Sequence, residues 1–283
     1  MINLQSVIDD VVVKANQEGK RKPSTSPSNL GNCLRKCILR ENDFPHTEFT
    51  AQQLRVFRVG YIFEKFVEEA LEKTGLLLGK QIKVEYKGMY GTLDFIIRDD
   101  EAKEIVIVDA KSVHSSKFDY LDRGEVDSGY AMQQTCYWLG LKNKLFKDDK
   151  IIRDDEKKNI TSDFYWCLNN GYKLSRTVWL FYVEKECLLT KQIAINTSEW
   201  IWEVDEKIKN LTSAREMFKL NGVLPAEYPQ PIWECFSVQK TKHKVPRIIG
   251  VKVWCQYIES CPEMMKALEW TKKQIASDGE EKK

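Results

Sequence analysis

The hydrophobic run Ile105-Val106-Ile107-Val108 ends abruptly in Asp109-Ala110-Lys111, and a second aspartate, Asp94, stands fifteen residues earlier behind Gly91-Thr92-Leu93. Short, unbroken, β-branched runs are how strands buried on both faces read. Ionisable groups at the end of such a strand cost solvation free energy unless something uses them. Side chains two apart on a strand point to the same side, so Asp109 and Lys111 share a face. Asp94 leads into Phe95-Ile96-Ile97, which reads as the neighbouring antiparallel strand, with a turn at Gly91 before it and 98–103 as the hairpin connection. Two carboxylates and an amine then converge on one sheet surface. Hard divalent cations such as Mg2+ and Mn2+ prefer carboxylate oxygens and water. The chemistry this pattern points to is a metal site with a lysine beside it.

Helices must hold such a site in place. Gln52 to Lys73 has helical spacing, with Leu54, Phe57, Ile62, Phe66, Val67, Ala70 and Leu71 on its apolar side. Gly60 inside that helix costs about 1 kcal/mol against Ala and marks the close approach of another backbone. Glu64, one turn later, is a candidate further ligand; the alternative is a solvated face of Glu64, Glu68, Glu69 and Glu72. Ser128 to Leu141 reads as a second helix, placing Gln133 and Tyr137 one turn apart on one face. Ile82–Tyr86, Phe164–Leu168, Val178–Val183 and Leu188–Ile195 read as strands, Ser112–Asp127 as a loop and Leu145–Asn159 as an exposed, charged loop. Thr197-Ser198 caps a helix running to Leu220, and a closing helix over Met264–Ile275 precedes a charged, disordered tail.

At the N-terminus, Leu4 to Gln17 carries an apolar helical face, and the segment from Gly19 to Ser28 breaks it with Gly, Pro and Ser. Lys20, Arg21 and Lys22 in that linker either touch phosphates or line a solvated hinge. Ser28 reads as the cap of a helix that carries Cys33 and Cys37 on one face. The expected division is a helical segment over 1–50, a core over 51–220 and a cysteine-bearing region over 221–283. A net charge of +2 is nearly balanced, so any nucleic-acid binding must rest on local patches. No apolar run approaches the roughly 20 residues that span a bilayer. The first residues lack a signal-peptide pattern, so a cytoplasmic protein is expected. Eight cysteines in such a compartment are expected to be reduced, either buried or bound to a metal.

In chain order, Gly60-x3-Glu64 on a helix, Gly91-x2-Asp94 on a strand, Asp109-x-Lys111 on the next strand and Gln133-x3-Tyr137 on a helix resemble the PD-(D/E)XK nuclease superfamily. Within it the chain is similar to the RecB-like exonuclease branch, which includes CRISPR adaptation exonucleases and AddB-type nuclease domains. The resemblance covers roughly Gly60 to Leu141. It implies an α/β fold: a restriction-endonuclease-like core with a central mixed sheet flanked by helices, plus helical N-terminal and cysteine-bearing C-terminal appendages.

The same resemblance implies a metal-dependent DNA exonuclease acting at single-stranded ends in recombination, repair or CRISPR-type processing. Mg2+ or Mn2+ would be held by Glu64, Asp94, Asp109 and the main-chain carbonyl of Ala110. Lys111 would orient the attacking water or offset charge on the transition-state oxygens. Gln133 and Tyr137 would contact the DNA backbone or order the site, packing of a helix face being the alternative. DNA with free ends is the implied partner, no membrane is involved, and no protein partner is named. Two positions depart from the commoner pattern. Asp109 stands where many relatives have Glu, and Glu64 stands where the RecB branch often has His.

Some relatives hold a [4Fe–4S] cluster on one early and three late cysteines, which here implies Cys33, Cys235, Cys255 and Cys261. A zinc site or buried thiols are the alternatives. Two further readings accompany the exonuclease: a DNA-binding or assembly subunit that keeps the fold without cleaving, and a site-specific endonuclease of the same fold.

Overall fold

Alternating and β-branched stretches of this chain pair into one mixed sheet. The computed structural model describes residues 3–19, 24–121, 126–146, 159–225, 236–240, 248–253, 255–262, 264–267, 269 and 271–273. Strands β1 (Leu77–Tyr86), β2 (Met89–Asp99) and β3 (Glu104–Val113) form an antiparallel meander. After two helices, α4 (Ser115–Leu121) and α5 (Ser128–Phe146), and a third, α6 (Ser162–Asn169), the chain returns to pair with β3 in parallel. The returning strands are β4 (Lys173–Leu174) and β5 (Thr177–Glu184), and β6 (Thr190–Asn196) closes the edge in the order β1-β2-β3-β5-β6. A six-stranded mixed sheet flanked by helices is the α/β, restriction-endonuclease-like layout the motifs imply.

Chain contacts divide the molecule into two units. The first comprises Met1–Lys20, Thr25–Gly31 and Thr50–Lys209; the second comprises Arg21–Ser24, Asn32–Phe49 and Asn210–Lys283. The first fifty residues, read above as one segment, are thus shared between both. In the first unit, the long helix α3 (Ala51–Thr74) packs on the sheet, burying Val67 against Leu77, Phe95, Ile97, Val106 and Val108. Full burial of a side chain such as Phe95 contributes about 1.5–3 kcal/mol. On the other side, Ala131 of α5 meets Phe118, Leu121, Val113, Leu180 and Tyr182. Helix α3 starts at a capping box, in which Gln53 N–H donates to Thr50 Oγ1 at 3.3 Å and Thr50 N–H donates to Gln53 Oε1 at 2.9 Å.

Several expectations are corrected. The turn before β2 lies at Lys87-Gly88, where φ is +48° and +79°, and Gly91 is inside the strand. Residues 164–168 are helical: Phe164 and Cys167 are buried three apart while Tyr165 and Trp166 face solvent, which a strand's alternation cannot produce. Residues 115–121 are helical and not loop, because Phe118 and Leu121, three apart, both bury. The helix carrying Cys37 begins later than Ser28, with Cys33 itself as its cap, and Ser26 and Asn29 instead close a separate 3₁₀ turn. Phe57, Ile62 and Phe66 on α3 are exposed, whereas Glu68 is buried between Lys65 and Lys80. The N-terminal helix α1 (Leu4–Glu18) packs against α3 yet buries none of its residues, so Leu4, Val7, Ile8 and Val11 stay exposed.

In the second unit, α2 (Leu34–Glu41) contributes Leu39 to a cluster with Tyr257, Cys261, Phe44, Leu224, Cys255 and Met264. Arg215, on the later half of α7 (Ile201–Asn221), clamps Glu41 through two bonds of 2.8 and 2.6 Å. A hairpin of β7 (Phe236–Lys240) and β8 (Ile248–Val253) was not foreseen. Helical turns recur between residues 262 and 273. Among the described residues, no helix is long and apolar enough to cross a membrane.

Candidate active site

The antiparallel register pairs Phe95 with Val108, and one further step along it sets Asp94 across from Asp109. Asp94 Oδ2 accepts a hydrogen bond from the Ala110 N–H at 3.2 Å, which ties the two strands together at the site. Asp109 is 1 % exposed, and the Lys111 ammonium lies 2.5 Å from its Oδ2 on the shared strand face. That oxygen is enclosed and meets the ammonium as an ion pair, without a hydrogen bond of regular geometry. Asp94, Asp109 and Lys111 are therefore brought together as the strand pattern requires.

Their charges are strongly coupled. Burial pushes the Asp94 carboxyl well above the usual carboxylate range, and the Asp109 charge pushes it further, with Lys111 and the Ala110 N–H opposing. Burial alone would lower the Lys111 pKa, but Asp109 and Asp94 outweigh it and hold the ammonium above the ordinary lysine value. Lys111 is a fixed positive charge at neutral pH.

Glu64 stands on α3 at the edge of this group. It is half-buried; burial raises its pKa, and the Asp109 charge adds to the rise. Its Oε1 accepts from Gln81 Nε2 at 2.6 Å. Gln81 is the residue that the register places across from Asp94, and its φ of +48° is left-handed, which costs a non-glycine residue about 1–2 kcal/mol. Strained backbone of this kind gathers at functional sites. Nothing in the sequence signals Gln81. The expected close neighbour of Gly60 is a side chain and not a backbone: a Cβ there would come within 3.2 Å of Ser112 Oγ, which seats α3 on the face of β3 opposite to that of Asp109 and Lys111.

Gln133 and Tyr137 on α5 are both buried, at 6 % and 5 % exposure, and Gln133 Nε2 donates to Tyr137 Oη at 3.1 Å. The Tyr137 ring fills the space a side chain at Gly91 would take: a Cβ there would sit 2.6 Å from Cε1. Burial pushes the Tyr137 phenol up to about 12. This pair packs and orders the strand of Asp94. A residue not foreseen is Tyr130, whose ring lies 5.3 Å from Lys111 Nζ and 4.5 Å from Lys117 Nζ. Asp127 anchors that corner by pairing with Lys117 at 2.9 Å and by accepting from the Gly129 N–H at 2.9 Å and the Tyr130 N–H at 3.3 Å.

The donor set meets the needs of a divalent cation in part. Two facing aspartates, one of them buried against the Lys111 ammonium, offer the carboxylate oxygens a hard cation prefers. Glu64 does not join them in this arrangement, and among the described residues no three His, Cys, Asp or Glu side chains converge closely enough to hold a metal ion.

Of the cysteines, Cys33 caps α2, its Sγ accepting from the Lys36 N–H at 3.4 Å. Cys261 is buried with its Sγ 3.9 Å from Arg35 Nη1, and Cys255 packs in the same cluster. None of the described cysteines is in a disulfide. Cys235 and the linker cations Lys20, Arg21 and Lys22 lie outside the described residues.

No known protein family matches the chain. No curated protein matches it either. Among solved structures, the crystal structure of SSO0001 is similar over 83 % of this chain and 92 % of that one, with 14 % identity and a TM-score of 0.42. A likeness at that level stands beside the site geometry and adds no role for any residue.

Proposed function

We propose that the protein is a metal-dependent deoxyribonuclease of RecB-like type that hydrolyses phosphodiester bonds from single-stranded DNA ends. The observation that carries this reading is the placement of Asp94 and Asp109 across one strand pair with Lys111 2.5 Å from Asp109. When bound by Asp94 and Asp109, Mg2+ or Mn2+ would supply Lewis acidity, lowering the pKa of a water and offsetting charge on the phosphoryl oxygens.

The chain's own residues do the rest. Lys111 keeps its proton and offers N–H donors toward charge that develops on a reacting phosphate, the kind of fixed donor worth a few kcal/mol. Tyr130 limits the swing of that ammonium, and the Ala110 N–H holds Asp94 in orientation. Glu64 completes a three-carboxylate set only by leaving Gln81.

That last contact favours a second reading, a DNA-binding or assembly subunit in which the carboxylates stay apart. End-labelled single- and double-stranded DNA with Mg2+ or Mn2+, beside closed circular DNA, separates the readings. The expected result is metal-dependent loss of ended substrates by the wild type and none by Asp109→Ala or Lys111→Ala. A gel shift without cleavage supports the binding subunit, and cleavage of circles supports an endonuclease. Unchanged cleavage by both variants overturns the site assignment.

A further inference from the structure

Helix α3 carries two aromatic residues that the fold leaves in solvent, one of which, Phe57, the sequence pattern assigns to the core. Phe57 and Tyr61 are 54 % and 48 % exposed. Counted from Glu64 they lie seven and three residues toward the N-terminus, which puts all three on one helical face. The two rings are four residues apart, about 6 Å along the axis at 1.5 Å per residue. Their line leads to the candidate site through Glu64, whose Oε1 meets Gln81, the residue across from Asp94.

Cations flank the rings. Arg58 Cζ lies 5.4 Å and Lys65 Nζ 6.0 Å from the Tyr61 ring centroid. Lys65 also pairs with Glu68, and Arg55 pairs with Asp9. An apolar protein partner would have to desolvate these charges. A polyanion with unstacked aromatic faces gains from both features together. Bases inside a duplex are already stacked on both sides, so only a single strand can place bases on exposed rings while its phosphates run past Arg58 and Lys65.

We propose that Phe57 and Tyr61 form a stacking track that leads single-stranded DNA along α3 toward Glu64, with Arg58 and Lys65 holding the phosphates. This rests on the nuclease reading for its direction, and it adds the path of the strand and the residues that grip it. Glu64 and Gln81 then lie where the track ends. A strand arriving over Tyr61 comes first to the residue that the three-carboxylate set lacks.

The test is binding without turnover. The full-length protein is titrated with 5′-labelled oligo-dT in EDTA, read by fluorescence anisotropy, with thermal melts confirming that each variant is folded. Tyr61→Ala and Phe57→Ala are each expected to weaken binding about 5- to 100-fold, as loss of a stacked base requires, and Tyr61→Phe to restore it. Arg58→Ala is expected to lower the log–log salt slope by about 0.7, the value for one phosphate on a single strand. Blunt duplex binding should respond far less to either aromatic change. Wild-type affinity in both aromatic variants overturns the track, as does Phe57→Ala abolishing a self-association while oligo-dT still binds. A wild type that binds oligo-dT through Tyr61 but never cleaves keeps the track and removes the nuclease. A wild type that cleaves with both aromatics dispensable does the reverse.

Discussion

The Lys111 ammonium sits 2.5 Å from Asp109 Oδ2, two residues back on the same strand, and Asp109 is 1 % exposed. Removing one member of such a pair strands the other's charge in protein. Lys111→Ala is expected to destabilise the protein by about 3 kcal/mol, the lower end of the range for buried pairs because the lysine is still 19 % exposed. Adding Asp109→Asn to that variant should recover most of the loss. Urea denaturation of the two single variants and the double variant measures the coupling, and equal stability of Lys111→Ala and wild type would remove the pair's structural role.

Glu68 gives a pH dependence of known sign. Burial alone would raise its pKa, but hydrogen bonds from Lys65 and Lys80 outweigh this and hold it below the ordinary carboxylate value. A carboxylate lowered in the folded state stabilises above its unfolded pKa and loses that contribution as pH falls through the folded one. Lys65 is half exposed and therefore screened, so Lys80 carries more of the effect. Glu68→Gln should cost about 1–2 kcal/mol at pH 7. The gap to wild type should close below about pH 4, as denaturation at several pH values will read.

Gln81 invites a comparison of two small residues. In an ordinary strand, Gly is less stable than Ala by about 0.5–1 kcal/mol. At φ +48° the order should reverse, because Gly sheds the left-handed strain and Ala keeps it, while both lose the bond to Glu64. Gln81→Gly is therefore expected to melt above Gln81→Ala. The usual order would mean that the position is unstrained in solution.

The cysteines make a claim that elemental analysis decides. If Cys33, Cys235, Cys255 and Cys261 hold a [4Fe–4S] cluster, anaerobically purified protein should be brown, with iron and sulfide in equal amounts. Cys255→Ser and Cys261→Ser should each bleach it. A colourless, iron-free protein would leave Cys261 as the packed thiol that Arg35 already contacts.

What could be read from the chain was what is written locally. The β2–β3 hairpin follows from strand periodicity around Asp94 and Asp109, and α5, β5 and β6 follow from apolar spacing. Helix α6 was missed because Phe164, Tyr165 and Trp166 are strand-forming types, and only the burial of Phe164 with Cys167 decides the period. Strand β4 is two residues long, too short for any pattern, and exists because it completes β3. Phe57, Ile62 and Phe66 look like core in sequence, and only the packing of α3 through Leu54 and Val67 turns them outward. Gln81 and Tyr130 reach the site by register and helix docking, which no single stretch of sequence encodes.

The mixed sheet also sets an order of events. Phe95 and Val108 are 13 residues apart, whereas Val108 and its parallel partner Trp179 are 71 apart. Closing the longer span costs about 1.5 kcal/mol more in chain entropy, and long-range parallel pairing is slow for the same reason. The two aspartates thus meet in a short-range hairpin while still hydrated, and the strand that flanks Asp109 arrives from far along the chain. Pulse-labelled hydrogen exchange during refolding should find the β2–β3 amides protected before those of β5. Mutual repulsion of the carboxylates would then be felt at the last step of folding and not the first, so the residues that define the site would set how fast the finished sheet opens more than how fast it begins to form.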